Sequence, residues 1–190
     1  LGKAAWKVKN VKGAIELAGR SGHRLHVIGG TRVNFRTGLR ITLSSHVRFH
    51  GMLEGEGKNV LLNGSKGLLY PTLWCEPFGL ALIESLWFGC PVFGTPYGAL
   101  PEILSGVHKS NADRYDQKVQ LEALYSDFGC LSNKKSEILE AIKDADSFDR
   151  QRCHDYVRAH FSSQRMAADY VPLYEKVIAG HHLHEVPPIC

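Results

Sequence analysis

Residues 71–84 read PTLWCEPFGLALIE, and their reading sets the frame for the rest of the chain. From Gly79 onward, Leu80, Leu82, Ile83, Leu86, Trp87 and Phe88 are apolar on nearly every face, which predicts a buried helix over 78–89. Glu84 is the one charge on it. A buried carboxylate costs several kcal/mol unless donors meet it. Two readings of Glu84 stand side by side. One is a structural pairing with an arginine or backbone amides; the other is a carboxylate that accepts from the vicinal hydroxyls of a sugar, as acidic residues do with ribose in doubly wound folds. Ahead of the helix stand Glu76, Pro77, Phe78 and Gly79. Glycine at a helix start lets a ligand approach the backbone, and the first-turn N–H groups with the helix dipole favour an anion. A phosphate on the amides of Gly79 and Leu80 leaves Glu84 a turn deeper and Glu76 at the mouth. That order suits a nucleotide-sugar, with hexose at Glu76, diphosphate at the helix start and ribose at Glu84.

Outward from this segment, RLHVIGG (24–30), HVRFHG (46–51), GLLYP (67–71), CPVFGTP (90–96) and FGCLS (128–132) read as short strands. GLLYP is an apolar run of the kind that parallel sheets bury on both faces. GAIELAG (13–19) and the segments 55–65, 114–126, 134–144, 147–160 and 162–179 read as helices. The alternation predicts an α/β fold with a doubly wound, Rossmann-like parallel sheet, closed by a helix-only stretch at the end. One domain over residues 1–180 and a flexible tail over 181–190 account for the chain. His181, His182 and His184 lie in that tail and read as a frayed end, not a metal site. Ligands of such sheets bind outside the carboxyl ends of the strands, which directs attention to loops 29–33, 51–55, 71–79 and 94–101.

Composition narrows the field. With 190 residues, 44% of them apolar and 22% charged, the chain reads as globular and large enough to hold a core without disulfides or a metal. No run supplies the ~20 consecutive apolar residues of a membrane span. Five cysteines, an odd set without C-x-x-C spacing, argue for a reducing compartment and a cytoplasmic location. Residues 1–50 carry ten Lys and Arg against one acid, a net +9, within a chain whose total is +4. The asymmetry points to an anionic partner. The basic residues lack the interleaved aromatics of a nucleic-acid module, so nucleic acid is not expected. Gly29-Gly30 is not followed by G-x-G-x-x-G, which weakens a dinucleotide reading. Arg32 and Arg36 face either the cleft or solvent, His46 and His50 flank a strand, and Glu102 is either a loop cap or a group near the sugar.

EPFGLALIE (76–84) resembles the E-x7-E motif of retaining GT-B glycosyltransferases, specifically the large family-4 group. The following SLWFGCPVFGTPYGALPEIL resembles that family's strand and G-x-x-P-E loop, FGCLSNKKSEILEAI its next strand and helix, and HFSSQRMAADYVPLYEKVI its closing helix. HVRFHG and GLLYPTLW fit the two strands ahead of the motif, so the resemblance runs through nearly the whole chain in order. It implies that Glu76 contacts hydroxyls of the donor sugar, as the candidate catalytic residue, and that Glu84 contacts the ribose. Phe78, Gly79 and Leu80 line the substrate at the helix start. The family opens on a G-R-(five residues)-K-G pattern whose Arg and Lys hold the diphosphate. Here Gly2 is followed by Lys3 at the Arg position, Lys9 stands at the Lys position, and Asn10 replaces the Gly. Lysine for arginine keeps the charge and loses the planar fork. Cys90, Phe93 and Gly94 depart from the family's next strand and read as neutral packing changes.

The resemblance further implies one half of a GT-B fold, namely the C-terminal donor-binding domain, with an N-terminal acceptor domain absent from this chain. It implies transfer of a hexosyl group with retention from a nucleoside-diphosphate sugar to a glycan or lipid-linked acceptor. Peripheral membrane association would come through the other domain. Lys3 and Lys9 take the part a metal plays elsewhere, so neither cofactor nor metal is expected. The isolated domain is expected to bind nucleotide and transfer little sugar. The alternative reading is a non-catalytic nucleotide-sugar binding module.

Overall fold

Short strands closed by glycine or proline turns alternate with helices through most of the chain, as the punctuation predicts. The computed structural model describes residues 6–34, 40–105 and 123–183. In chain order these form α1 (Val11–Arg20), β1 (Leu25–Val27), β2 (Val33–Asn34), β3 (Arg40–Ile41), β4 (Val47–Phe49), α2 (Gly55–Asn63), β5 (Leu68–Tyr70), α3 (Leu80–Trp87) and β6 (Val92–Gly94). They continue with α4 (Leu100–Ser105), β7 (Leu124–Ser126), β8 (Gly129–Leu131), α5 (Lys135–Lys143), α6 (Arg150–His160) and α7 (Ser163–Ile178).

The strands divide into separate ladders. β1 and β4 run parallel with Leu25 opposite Val47, and β5, β6 and β8 run parallel with Leu68 opposite Val92 and Val92 opposite Gly129. β7 closes the second ladder as an antiparallel edge strand, and β2 and β3 form a small antiparallel pair of their own. The doubly wound α/β class therefore holds, with its parallel strands in two ladders, since β1 and β5 are not hydrogen-bonded to each other.

Two apolar layers cover the larger ladder. Leu82, Leu86, Val92, Leu104, Leu131 and Val157 form the core between the sheet and the face carrying α3, α4 and α6. Leu17, Phe93, Cys130, Ile138 and Ile142 form the opposite layer under α1 and α5. Alternation along β6 sends Val92 to one layer and Phe93 to the other, so an all-apolar strand serves both faces.

Several local expectations are overturned. Residues 124–126 are a strand and not the end of a helix, because they pair with the turn-linked β8; the rest of the expected 114–126 helix falls largely outside the described residues. The ALPEIL segment, expected as loop, forms α4, with Leu100, Ile103 and Leu104 buried on one face. Gly94 is not a neutral change. A side chain there would begin 2.3 Å from the Tyr70 carbonyl oxygen, so β5 and β6 approach closely only over glycine. Cys90 is buried, and its thiol donates to the carbonyls of Leu62 and Ser65 at 3.1 and 3.2 Å. α7 has no buried residue and exposes Met166, Tyr170, Val171 and Tyr174. Among the described residues no helix is long and apolar enough to cross a membrane.

Candidate functional site

Asn10 organises one side of the site. It sits in the left-handed region, φ 48° and ψ 48°, between a single turn of 3-10 helix at Lys7–Lys9 and the start of α1. Glycine and asparagine are the residues that accept this conformation at least cost. Its Oδ1 accepts from the Gly13 N–H at 3.1 Å, capping α1, while its Nδ2 donates to the Pro71 carbonyl at 2.9 Å. The Leu73 N–H and the Thr72 hydroxyl both donate to the Val8 carbonyl, at 2.7 and 3.2 Å. Asparagine thus keeps the turn that glycine would make and adds a tie to the loop after β5.

That loop is fastened from its other side by the segment after β6. The Ala99 N–H donates to the Glu76 carbonyl at 2.9 Å, and Gly98 lies backbone to backbone against Glu76. A Cβ on Gly98 would fall 2.3 Å from the Glu76 oxygen and 2.4 Å from its nitrogen, and its φ of +67° is itself a glycine conformation.

Between these two supports the Glu76 carboxylate is held through one oxygen. Oε2 accepts from Lys9 Nζ at 2.5 Å, the Tyr70 hydroxyl at 2.7 Å and Trp74 Nε1 at 3.1 Å. Lys9 Nζ donates to the Tyr70 oxygen as well, at 2.8 Å, and lies 5.2 and 5.6 Å from the Tyr70 and Trp74 ring centres. Among the described residues no bond falls on Oε1. The Lys9 and Glu76 side chains are only 16% and 13% exposed, so the pair is weakly screened. Burial alone would raise the Glu76 carboxyl; the bonds from Lys9, Tyr70 and Trp74 outweigh it and hold the group below its ordinary value. Burial, then the bond to the Glu76 carboxylate, pushes the Tyr70 phenol well above its usual range, so it stays a donor.

α3 begins one loop further on. Gly79 precedes it at φ +88° with no side-chain cap; its carbonyl accepts from the Leu82 N–H at 2.9 Å, so the N–H groups of Leu80 and Ala81 come ahead of the first bond of the helix. Phe78 is exposed and meets the Phe161 ring edge-on at 6.2 Å, and Leu80 is 69% exposed. Trp87 is exposed too, so the expectation of a helix buried on every side is corrected: only Leu82, Ser85 and Leu86 are fully enclosed. Glu84 follows the same correction. Its side chain is 43% exposed and accepts from Lys58 Nζ of α2 at 2.8 Å.

Residues 3–126, a span that takes in Lys9, Glu76, Gly79 and Glu84, match the family described as glycosyl transferases group 1. The chain belongs to that family.

A sucrose synthase of Acidithiobacillus caldus is 30% identical to this group 1 chain in an alignment 165 residues long that covers 73% of this chain and 21% of the relative. Among solved structures, AviGT4, a glycosyltransferase involved in avilamycin A biosynthesis, superimposes with a TM-score of 0.70 at 19% identity, over 95% of this chain and 51% of that one. Sucrose-phosphate synthase from Thermosynechococcus elongatus gives 0.64 at 17% identity, over 93% and 44%. The fold is that of half a GT-B glycosyltransferase, and the chain spans about half the length of these structures and a fifth of the curated relative.

Of the residues singled out from the family pattern, the structure brings together Lys9 and Glu76 and places Phe78, Gly79 and Leu80 in the loop and helix start beyond them. Lys3 and Arg36 lie outside the described residues. Arg32 is exposed and donates to the carbonyls of Thr42 and Val47 at 2.9 and 2.7 Å. Glu102 lies exposed in the first turn of α4, where a negative charge favours the helix dipole. His46 bonds the Ile15 carbonyl, and His50 pairs with His26 at 2.9 Å with the rings stacked. A D-x-D spacing, Asp144-Ala145-Asp146, does occur, but it lies at the opposite end of β5 from Glu76, where Asp146 pairs with Lys66. His181 and His182 are exposed beyond α7, and His184 is outside the described residues.

Tyr70, Trp74 and Lys58 are the site residues that sequence reading missed. Tyr70 carried a faint signal, since it is the one polar atom at the end of an apolar strand that points to the ligand side.

Proposed function

We propose that this chain is the donor-binding domain of a retaining glycosyltransferase that takes a hexosyl group from a nucleoside-diphosphate sugar and passes it to a glycan or lipid-linked acceptor. The observation that carries the reading is the Glu76 carboxylate, held ionised through Oε2 by Lys9, Tyr70 and Trp74. Oε1 is left to accept from a hydroxyl of the sugar, which orients the ring without entering the covalent chemistry. The Lys9 ammonium has three protons. Two of them serve Tyr70 and Glu76, and the third serves the diphosphate together with Lys3 and the N–H groups of Gly79 and Leu80. When the anomeric C–O bond breaks, its electron pair leaves on the diphosphate. Fixed positive charge and helix N–H groups facing that oxygen stabilise it as the new bond to the acceptor oxygen forms and the acceptor hydroxyl's proton passes to the departing diphosphate. Glu84, half exposed a turn along α3, accepts from the ribose hydroxyls once Lys58 yields part of its hold.

In this reading the cations replace a metal, and the acceptor site, with any membrane association, belongs to a second domain. The test is calorimetric titration with UDP-, GDP- and ADP-sugars, with and without EDTA, on the chain and on Glu84→Ala. One donor is expected to bind, with EDTA without effect and Glu84→Ala weakening binding about tenfold, the worth of one good hydrogen-bond pair. Binding that requires Mg²⁺ or Mn²⁺, or that Glu84→Ala leaves unchanged, removes the corresponding assignment. Sugar transfer by the complete protein separates this reading from a non-catalytic nucleotide-sugar module.

A further inference from the structure

Trp74, Phe78 and Trp87 all stand exposed along the loop after β5 and the helix that follows it, and the fold uses them differently. Phe78 leans edge-on against Phe161, and Trp87 packs its ring on His154 with the centres 4.4 Å apart. Trp74 is 37% exposed, and among the described residues its ring meets no other ring. Large apolar side chains standing singly in water are common and mean little by themselves. Trp74 is set apart by how firmly it is held. Its Nε1 donates to Glu76 Oε2 at 3.1 Å, and Lys9 Nζ stands over the indole, 5.6 Å from its centre. The bond fixes an edge of the ring and the ammonium fixes a face. An exposed tryptophan turns about two side-chain bonds; this one has given up that freedom before any ligand arrives.

The neighbouring carboxylate supplies a reason. Oε2 of Glu76 holds the indole N–H, while among the described residues Oε1 carries no bond. An oxygen accepted by Oε1 therefore stands one carboxylate's width from the indole. A pyranose carries its hydroxyls around its rim and C–H bonds on its faces. A rim hydroxyl on Oε1 leaves the ring free to rotate about that one bond, and a flat surface beside it removes the rotation. C–H groups laid on an aromatic face bury apolar area, and the negative face of the ring attracts their slightly positive hydrogens. A glutamine could make the same bond to Oε2. An indole makes it and offers a surface as well.

We propose that Trp74 is the platform of the donor sugar: its indole carries a C–H face of a neutral hexopyranose, one of whose hydroxyls is held by Glu76 Oε1. The inference rests on the reading of Glu76 as the sugar-binding carboxylate and adds the residue that tells a nucleotide-sugar from a bare nucleotide. The sugar is neutral because the Glu76 carboxylate repels a second carboxylate, and Lys9, the cation beside the platform, is already paired. Diphosphate binding draws on Lys9 and the start of α3 and owes nothing to the indole face. Trp74 thus adds to the affinity for a nucleotide-sugar and not to that for the nucleoside diphosphate alone.

The test is calorimetric titration of the full chain with UDP, GDP and ADP and with UDP-glucose, GDP-mannose and ADP-glucose. The ratio of the two affinities, for the base that binds, is the increment due to the sugar. Trp74→Phe keeps a flat ring and loses the donor, whereas Trp74→Gln keeps a donor and loses the ring. Trp74→Gln is expected to cut the increment about tenfold and Trp74→Phe no more than about threefold, with bare-nucleotide affinity within about twofold of the parent in both. Saturation-transfer NMR on the unaltered chain gives a second reading: irradiating aromatic protons is expected to mark ring C–H protons of the bound hexose. Hexose protons left unmarked overturn the proposal without any variant. So does an increment that is absent from the parent, unchanged in Trp74→Gln, or kept in Trp74→Gln and lost in Trp74→Phe; the last makes Trp74 a donor to Glu76 and nothing more. Equal loss of nucleotide and nucleotide-sugar affinity in both variants also overturns it, the residue then being a prop of the loop. A chain that binds none of the nucleotides overturns the donor-domain reading and this inference together. One that binds nucleotide with an increment indifferent to Trp74 leaves that reading in place and removes only the platform.

Discussion

Two carboxylates eight positions apart look alike in the sequence and are treated differently by the fold. Glu76 is held by three donors on one oxygen, in a loop clamped on both flanks, with its partner Lys9 nearly enclosed. Glu84 has one partner, Lys58, and both side chains keep substantial access to water, 24% and 43% exposed. Low exposure strengthens the first pair and the requirement that it stay complete. Solvent weakens the second and lets it open. A group that must be in place before its ligand arrives is built like Glu76, whereas one that exchanges partners when a ligand arrives is built like Glu84.

The most damaging way to break this contrast is to unclamp the Glu76 loop without touching its carboxylate. Gly98→Ala places a methyl group inside the Glu76 backbone at a positive φ. It is expected to cost about 2–4 kcal/mol in chemical unfolding and to abolish nucleotide-sugar binding. Unchanged stability would show that the loop is not held by that approach.

Next comes the charge itself. Lys9→Ala leaves a largely enclosed carboxylate with two neutral donors, and a loss of about 1–3 kcal/mol is expected. The change should be larger at neutral than at acid pH. The Glu76 carboxyl lies below its ordinary value in the folded chain, so its contribution is present above the unfolded pKa near 4.5 and fades as pH falls through the folded value. Lys9→Ala should flatten that part of the stability–pH curve. A separate decline should begin at higher pH, because burial, with neighbouring positive charge, lowers both His26 and His50. An imidazole lowered on folding takes up its proton more readily when unfolded, so stability falls as pH drops through the unfolded pKa near 6.5. His50→Gln is expected to reduce the upper decline and leave the lower one intact.

The same contrast explains what could be read without a structure. The Glu76 and Glu84 spacing, the glycine that opens α3 and the strand punctuation are all local, and each was legible from residue type and interval, whereas Lys9 stood out only through the resemblance to the family's opening pattern. The partners were not. Lys9 and Glu76 meet across 67 positions and Lys58 and Glu84 across 26, and nothing local declares such pairs. The helical pattern around Glu84 misled in a specific way: apolar residues on every face predict burial, yet Leu80 and Trp87 remain exposed. Periodicity reports which residues are apolar and not which of them the chain covers. The division of the sheet was invisible for a related reason, since β1 and β5 each read as good strands whether or not anything lies between them.

Tyr70→Phe sharpens the comparison on a smaller scale. It removes one donor from Glu76 and one acceptor from Lys9 while leaving the ion pair, and a loss of about 1 kcal/mol is expected. Nucleotide-sugar binding should weaken in enthalpy, because Oε2 is then held by two groups instead of three. A variant as stable as the parent, with unchanged binding, would reduce Tyr70 to a packing residue.

The smallest effect is the most informative about Glu84. Lys58→Ala removes a partly exposed ion pair, and such pairs contribute about 0–1 kcal/mol, so the unfolding midpoint should scarcely move. If Glu84 exchanges Lys58 for the ribose, the variant no longer has to release that bond, and nucleoside-diphosphate affinity should hold or rise slightly while Glu84→Ala lowers it. If Lys58 instead fixes Glu84 in its binding position, both variants weaken binding together. A double-mutant cycle on Lys58 and Glu84, read once by unfolding and once by nucleotide titration, separates the two: exchange predicts opposite signs for the single variants in binding and a near-zero coupling in stability.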